Sequence, residues 1–340
     1  GNYLILLMYD SIEDLNPDAV AGLRRIDHGH FAGSEEAFRH WDADGAVPGS
    51  CAKCHSAEGL PLFLAEGVSI SQPTSNGMLC STCHDDVGTF TRYTVASVTF
   101  PSGKVVQVEE GDDSGLCLSC HQGRSSKAAV DRALGSKEAD TVDETIRFLN
   151  IHYFAAGATR YGTEVQGAYE YNGQEYLGYF EHVPGADQCF ECHNAHELTV
   201  EVEDKCSQCH DVSTLEDLAT IREEDTPDYD GDGDTTEGIA GEIATLTEAL
   251  YAAIQAYAAE NATPILYDSH AYPYFFADDG TGNPAGGFSS WTPRLLKAAY
   301  NYQYVQKDPG AFAHNGKYVV QFLIDSIADL GGDVSAYTRP

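Results

Sequence analysis

The sequence predicts a mainly irregular chain with short α-helices and a minor β-hairpin, and three observations predict it. All ten cysteines lie in CxxC pairs, each followed at once by histidine, so five compact local motifs organise the 340 residues. The segments that read as amphipathic helix are mostly short. The best strand signal is a single stretch with a turn at its centre.

The motifs are Cys51-Cys54-His55, Cys80-Cys83-His84, Cys117-Cys120-His121, Cys189-Cys192-His193 and Cys206-Cys209-His210. A disulfide framework needs no histidine after every second cysteine, and a thioredoxin-like motif occurs once, near a βαβ pattern. Paired CxxC half-sites bind zinc, but four-thiolate sites would leave the histidines without a role. CxxCH is the attachment signature of c-type haem: the thiols form thioethers with the two vinyl groups, and the adjacent imidazole is held under the iron as proximal ligand. Five covalently bound haems c follow, and 340 residues shared among five leave 68 residues each. With so little chain per haem the porphyrins serve as the core, giving a haem-cored architecture of short helices and long irregular connections.

Eight further histidines are present: His28, His30, His40, His152, His182, His196, His270 and His314. Only two methionines, Met8 and Met78, accompany them, so bis-histidine ligation is the simplest expectation at most or all irons. His196, three residues after His193 in CHNAH, is too near its own motif to reach the opposite face of the same haem. It therefore reads as the distal ligand of a neighbouring haem, coupling the two. His182, seven residues before Cys189, suits the same task. His152 in NIHYFAAGAT and His314 in AFAHNGKYVV have surroundings apolar enough to contain a haem face. His30 and His40 are distal candidates for the haems of the first motifs, where one of them suffices. His270 reads equally as a hydrogen-bonding member of an aromatic core, and His28 as solvent-exposed.

Helical periodicity marks EEAFRHW (35–41), SSKAAVDRALG (125–135), closed by its glycine, and VDETIRFLN (142–150). The longest helix, over 238–260, repeats Ile239, Ile243, Leu246, Leu250 and Ile254 at helical spacing. TPRLLKAAYNYQYVQ (292–306) starts with threonine then proline, as an N-cap and first-turn proline should. The β-hairpin is expected near 93–110, in YTVASVTFPSGKVVQVEE, two β-rich arms around Pro-Ser-Gly.

The acidic loop 228–238, DYDGDGDTTEG, places Asp228, Asp230, Asp232 and Asp234 at alternate positions with Gly233 at the bend. That is the first half of an EF-hand loop, in which alternating oxygens wrap one calcium ion. The twelfth position is Ile239, so Glu237 or Glu242 must substitute for the usual bidentate glutamate. Ca2+ is thus a second candidate cofactor.

Residues 1–25 and 316–340 repeat each other without gaps at an offset of 315, with ten of 25 positions identical, among them Gly1/Gly316, Tyr3/Tyr318, Asp10/Asp325 and Arg24/Arg339. Either copies of the chain stack end to end, or the segment is one module of a tandem array. Within a single pentahaem module over 1–340, haems 1–3 fall in sub-region 1–150 and haems 4–5 in 151–340, together with the acidic loop and the C-terminal helices.

The formal charge is -34, from 53 acidic and 19 basic residues. Such a balance disfavours nucleic acid and anionic membranes, which need basic patches. It suits solubility outside the cell or attraction of cationic partners. LILLM is too short to span a bilayer, so no transmembrane segment is expected. Haem attachment takes place outside the cytoplasm, and the chain is read as an exported one whose leader has been removed. An extracellular, periplasmic or cell-surface location follows. The Asn-Ala-Thr sequon at Asn261 is a weak glycosylation signal.

The CxxCH series, CHNAH, and the histidines in GHF, FRHW, HYFAAGAT, SHAYPYFF and AHNGKY together resemble the extracellular and periplasmic multihaem c-type cytochromes over most of the chain. Some of these form filaments with a continuous haem chain, so the resemblance implies an electron carrier and includes the nanowire type. Closely packed bis-histidine haems would pass electrons to redox partners or extracellular acceptors, without an enzymatic reaction. The alternatives are a soluble periplasmic shuttle and a multihaem reductase of small nitrogen or sulfur oxyanions. The reductase needs one open haem site, and no CxxCK variant is present.

Overall fold

The computed structural model describes residues 2–21, 35–183, 186–223 and 225–340; the expectations for His28 and His30 lie outside these residues. Two compact units interleave along the chain. The first comprises Gly1–Ala96, Val108–Cys120 and Gly185–Cys206, and the second Ser97–Gln107, His121–Pro184 and Ser207–Pro340.

The first unit is made of short pieces. Its helices are α1 (Asn2–Leu15), α2 (Glu35–Arg39), α3 (Gly49–His55), α4 (Gly59–Glu66), α5 (Cys80–Cys83) and α6 (Ser114–Leu118). Three two-stranded antiparallel ribbons complete it, pairing 46–47 with 72–73, 84–86 with 91–92, and 193–194 with 199–200. Helices α3 and α4 pack so closely that a Cβ on Gly59 would lie 1.8 Å from the carbonyl oxygen of Ala52. Only glycine allows that approach.

The second unit contains the predicted hairpin, with Ser97–Thr99 antiparallel to Val105–Gln107. Helix α7 (Lys127–Leu134) is capped by the Ser126 hydroxyl, which accepts from the Ala129 amide, and stops at Gly135. Helix α8 (Ala156–Tyr161) follows, then α9 (Ile239–Asn261), α10 (Pro293–Lys307) and α11 (Ala311–Asp329). The Thr292 side chain accepts from the Leu295 amide, the N-cap that the sequence pattern requires.

Segment 142–150 is not helical. Asp143 accepts from both the amide and the hydroxyl of Thr145, a local bond that competes with helix formation, and its own amide donates to the carbonyl of Trp291. An antiparallel sheet in the order 284–287, 275–278, 265–267 also forms, which the sequence reading did not include.

A side-chain core accompanies these helices. Leu246, Leu250 and Ile254 of α9, Leu295, Leu296 and Tyr300 of α10, and Tyr318, Phe322 and Leu323 of α11 are fully buried. Each such aliphatic side chain contributes about 1.5–3 kcal/mol by leaving water. Helix α11 kinks at Asn315, whose φ is -173°. At the next residue, a Cβ on Gly316 would come within 2.7 Å of Ile239 at the start of α9. The buried Asn301 amide spans Tyr169, accepting from its N–H at 2.7 Å and donating to its carbonyl at 2.8 Å, and so ties α10 to the 165–171 segment.

Candidate haem centres

Each motif occupies a single turn, which places its two cysteines on one side of the backbone three residues apart. Motif 1 lies on α3, motif 2 on α5, motif 3 at the end of α6, and motifs 4 and 5 on the 3-10 turns Cys189–Glu191 and Cys206–Gln208. The Thr82 hydroxyl donates to the carbonyl of Ala57 at 2.8 Å and accepts from the Leu79 amide, fixing motif 2 against the α3–α4 turn. None of the ten cysteines forms a disulfide.

The imidazoles are oriented from behind. Nδ1 of His55 faces the carbonyl of Ala37 at 3.1 Å, Nδ1 of His84 that of Phe90 at 2.7 Å, and Nδ1 of His121 that of Phe154 at 2.9 Å. A carbonyl only accepts, so in each ring Nδ1 carries the proton and Nε2 keeps the lone pair a metal needs. Phe90 adopts a left-handed φ of 56°. His314 is held in the same way by a carboxylate, its Nδ1 lying 3.0 Å from Asp308, which is buried and accepts from the Thr159 hydroxyl at 2.6 Å.

Two imidazoles on opposite sides of one metal, each about 2 Å from it, bring their ring centroids roughly 6 Å apart. Among the described residues two pairs meet this condition. His84 and His196 have centroids 6.5 Å apart and planes within 4° of parallel. His182 and His210 are 5.9 Å apart with planes at 37°. His196 is presented by the tight turn after motif 4, where the Asn194 side chain accepts from the amides of His196 and Glu197. Burial is the main cause that lowers the His121 pKa.

The remaining candidates are less defined. His152 adopts a left-handed φ of 75°, with its amide donating to the Asn150 side chain. Strain of that kind is concentrated at functional sites. His40 is exposed against Trp41, which lies edge-on to His55 with centroids 5.4 Å apart. His270 is exposed, its amide bound to the Asp268 carboxylate. The anchoring carbonyls of Ala37, Phe90 and Phe154 carry no sequence signature, so motif reading did not identify them. Asp308, six residues before His314, was the one partner whose residue type was a signal.

The acidic loop folds into two overlapping carboxylate clusters, Asp228/Asp230/Glu242 and Asp230/Asp232/Glu237, with ligand atoms within 4.8 Å of one another. Asp234 is in neither, its Oδ1 accepting from the amide and hydroxyl of Thr236. Glu242 is buried and braces the loop, accepting from the Tyr229 and Asp230 amides at 2.8 and 2.9 Å and from Arg222 at 2.5 Å. Oδ2 of Asp230 and Oε1 of Glu237 are buried with no hydrogen-bond partner. Burial, then the charges of Asp230 and Glu242, push the Glu237 carboxyl up to about 7. Uncompensated anionic oxygens of this kind fit a hard cation.

Cysteine pairs beside imidazoles, three of them anchored through Nδ1, fit covalent haem of the c type. Residues 36–122, which contain the first three motifs, match the family described as cytochrome c7 and related cytochrome c. The chain is 26% identical to the C-type polyheme cytochrome OmcB of Geobacter sulfurreducens (strain ATCC 51573 / DSM 12127 / PCA), over 86% of this chain and 45% of that one. It is 25% identical to the C-type polyheme cytochrome OmcC of the same strain, over 91% of this chain and 47% of that one. The chain thus spans about half the length of the curated relatives it matches. No solved structure matches it. The segment with the first three motifs thus resembles c-type cytochromes, and most of the chain is similar to polyheme c-type cytochromes. Among the described residues no helix is long and apolar enough to cross a membrane.

Proposed function

We propose that all five motifs carry haem c and that the irons, each with two histidine ligands, form an electron relay outside the cytoplasm. The observation that carries this reading is the pairing of His84 with His196 and of His182 with His210 near 6 Å. Motifs 2 and 5 thereby acquire distal ligands, and His314 is the partner of His121 at motif 3. His152, His40 and His30 remain to serve motifs 1 and 4. Two strong ligands keep an iron six-coordinate through the redox cycle, which favours electron transfer over reductase chemistry. Electron paramagnetic resonance of the oxidised protein tests this: low-spin signals throughout are expected, and a high-spin ferric haem that binds carbon monoxide would favour a reductase with an open site.

The terminal repeat supports association with further copies or tandem modules. Leu4, Ile5, Leu7, Met8 and Ile12 of α1 are exposed, whereas their equivalents Val319, Val320, Phe322, Leu323 and Ile327 are buried in α11. A face that is buried in one copy of the repeat calls for a partner in the other. Electron microscopy of natively secreted material distinguishes filaments or longer arrays from isolated shuttle particles.

The acidic loop is proposed to hold one Ca2+ through Asp228, Asp230, Asp232 and Glu237, with Glu242 bracing the loop. The orphaned oxygens of Asp230 and Glu237 support it. Equilibrium dialysis of chelator-washed protein is expected to restore one ion per chain and to restore none to Asp230→Asn. Equal uptake by both proteins would overturn the assignment.

A further inference from the structure

We propose that the third motif is the centre of the haem relay in the first unit. The haem on motif 3 would adjoin those on motifs 1 and 4, and the haem on motif 2 would join through motif 4. Electrons would then pass in the order 1–3–4–2, not in chain order. The inference rests on haem at each of these motifs, as proposed above.

A thioether sulfur is bonded to the carbon of a former vinyl group on the porphyrin edge, so two attachment motifs in contact bring two macrocycle edges near each other. The stretch 114–120 that carries motif 3 meets two other motifs. Cys54 Sγ of motif 1 lies 3.9 Å from the carbonyl of Ser119. The Cys189 amide of motif 4 donates to the Ser114 hydroxyl of α6 at 3.1 Å. One short stretch of chain thus touches motif 1 near its end and motif 4 near its start.

Motif 2 is joined differently. Its contact with the α3–α4 turn runs through the Thr82 hydroxyl and the backbone of Ala57. Its histidine, His84, instead faces His196, three residues beyond the proximal histidine of motif 4. A ligand on so short a tether holds the irons of motifs 2 and 4 as neighbours.

The test is an iron map of the fully haem-loaded chain, from anomalous scattering or cryo-electron microscopy, supported by nuclear Overhauser contacts between haem methyl groups. The iron of motif 3 is expected to be the nearest neighbour of the iron of motif 1 and to adjoin that of motif 4. Interhaem contacts should link 1 with 3, 3 with 4, and 4 with 2. An iron of motif 1 nearest to that of motif 2, with contacts in chain order, would overturn the inference while leaving the five-haem relay standing. Mass spectrometry showing a motif without haem would instead remove the reading beneath it. His196→Ala gives a second readout: about one-fifth of the low-spin intensity should become high-spin, and the altered haem should be that of motif 2. Loss of a ligand at any other haem counts against the route.

Discussion

In the unit that contains the first two motifs, the helices bearing the cysteine pairs have four to seven residues, and among the described residues the buried apolar side chains are few: Val20, Phe38, Val47, Ala52, Ala57, Leu60, Leu116, Leu118 and Val202. In the other, helices of 23, 15 and 19 residues bury Trp291, Tyr300, Tyr304, Tyr318 and Phe322 along with a leucine-rich interior. The same chain therefore solves the burial problem twice. Where cysteines are dense, the covalent cofactor must supply the apolar volume; where they are sparse, long helices supply it from side chains.

The largest effect should come from withholding haem. In apoprotein made without haem ligation, hydrogen exchange is expected to show the first unit losing its protection while α9, α10 and α11 keep theirs. Equal loss in both units would mean that the second core also depends on the cofactor, and the comparison would fall.

A smaller effect compares the two copies of the terminal repeat. Leu323→Ala removes a fully buried side chain from α11 and should cost about 2–5 kcal/mol. The equivalent Met8→Ala, on the exposed face of α1, should stay within about 0.5 kcal/mol in the isolated chain. Denaturant midpoints decide this, and a large penalty at Met8 would show that α1 is already packed in solution.

Lys307 gives a pH dependence that belongs to the second unit alone. Its side chain is buried over the rings of Tyr153 and Tyr274, and burial holds its ammonium down to about 8 from 10.5. Between those values the unfolded chain binds more protons than the folded one, so stability rises with pH across that window and is lowest below about pH 8. The gain should be about 3 kcal/mol, and Lys307→Met should flatten it. An unchanged slope in the variant would assign the dependence to another group. Smallest, Thr292→Ala removes the N-cap of α10 and should cost about 1 kcal/mol, read as a lower thermal midpoint of the second unit with the Soret spectrum unchanged.

Legibility followed the range of the interaction. Helices α7, α9 and α10 were readable because a cap, a glycine stop or a repeat of apolar residues lies within each segment. Segment 142–150 misled, because an Asp143 side chain and a distant carbonyl outweighed its periodicity. The strand Pro284–Gly287 has a composition poor in strand formers and is held by pairing with 275–278, so no local signal announced it.

The sequence by itself determined where haem would attach, since two thiols and an imidazole within five residues are a local arrangement that any folded context preserves. It also determined that spare histidines outnumber spare methionines. Only the tertiary structure decided which histidines face each other, which carbonyls orient the rings after the cysteine pairs, and which motifs adjoin. Those relations join residues from six (His84 and Phe90) to 112 (His84 and His196) positions apart, and backbone carbonyls, identical at every position, leave no mark in the sequence until the fold brings them to a ring.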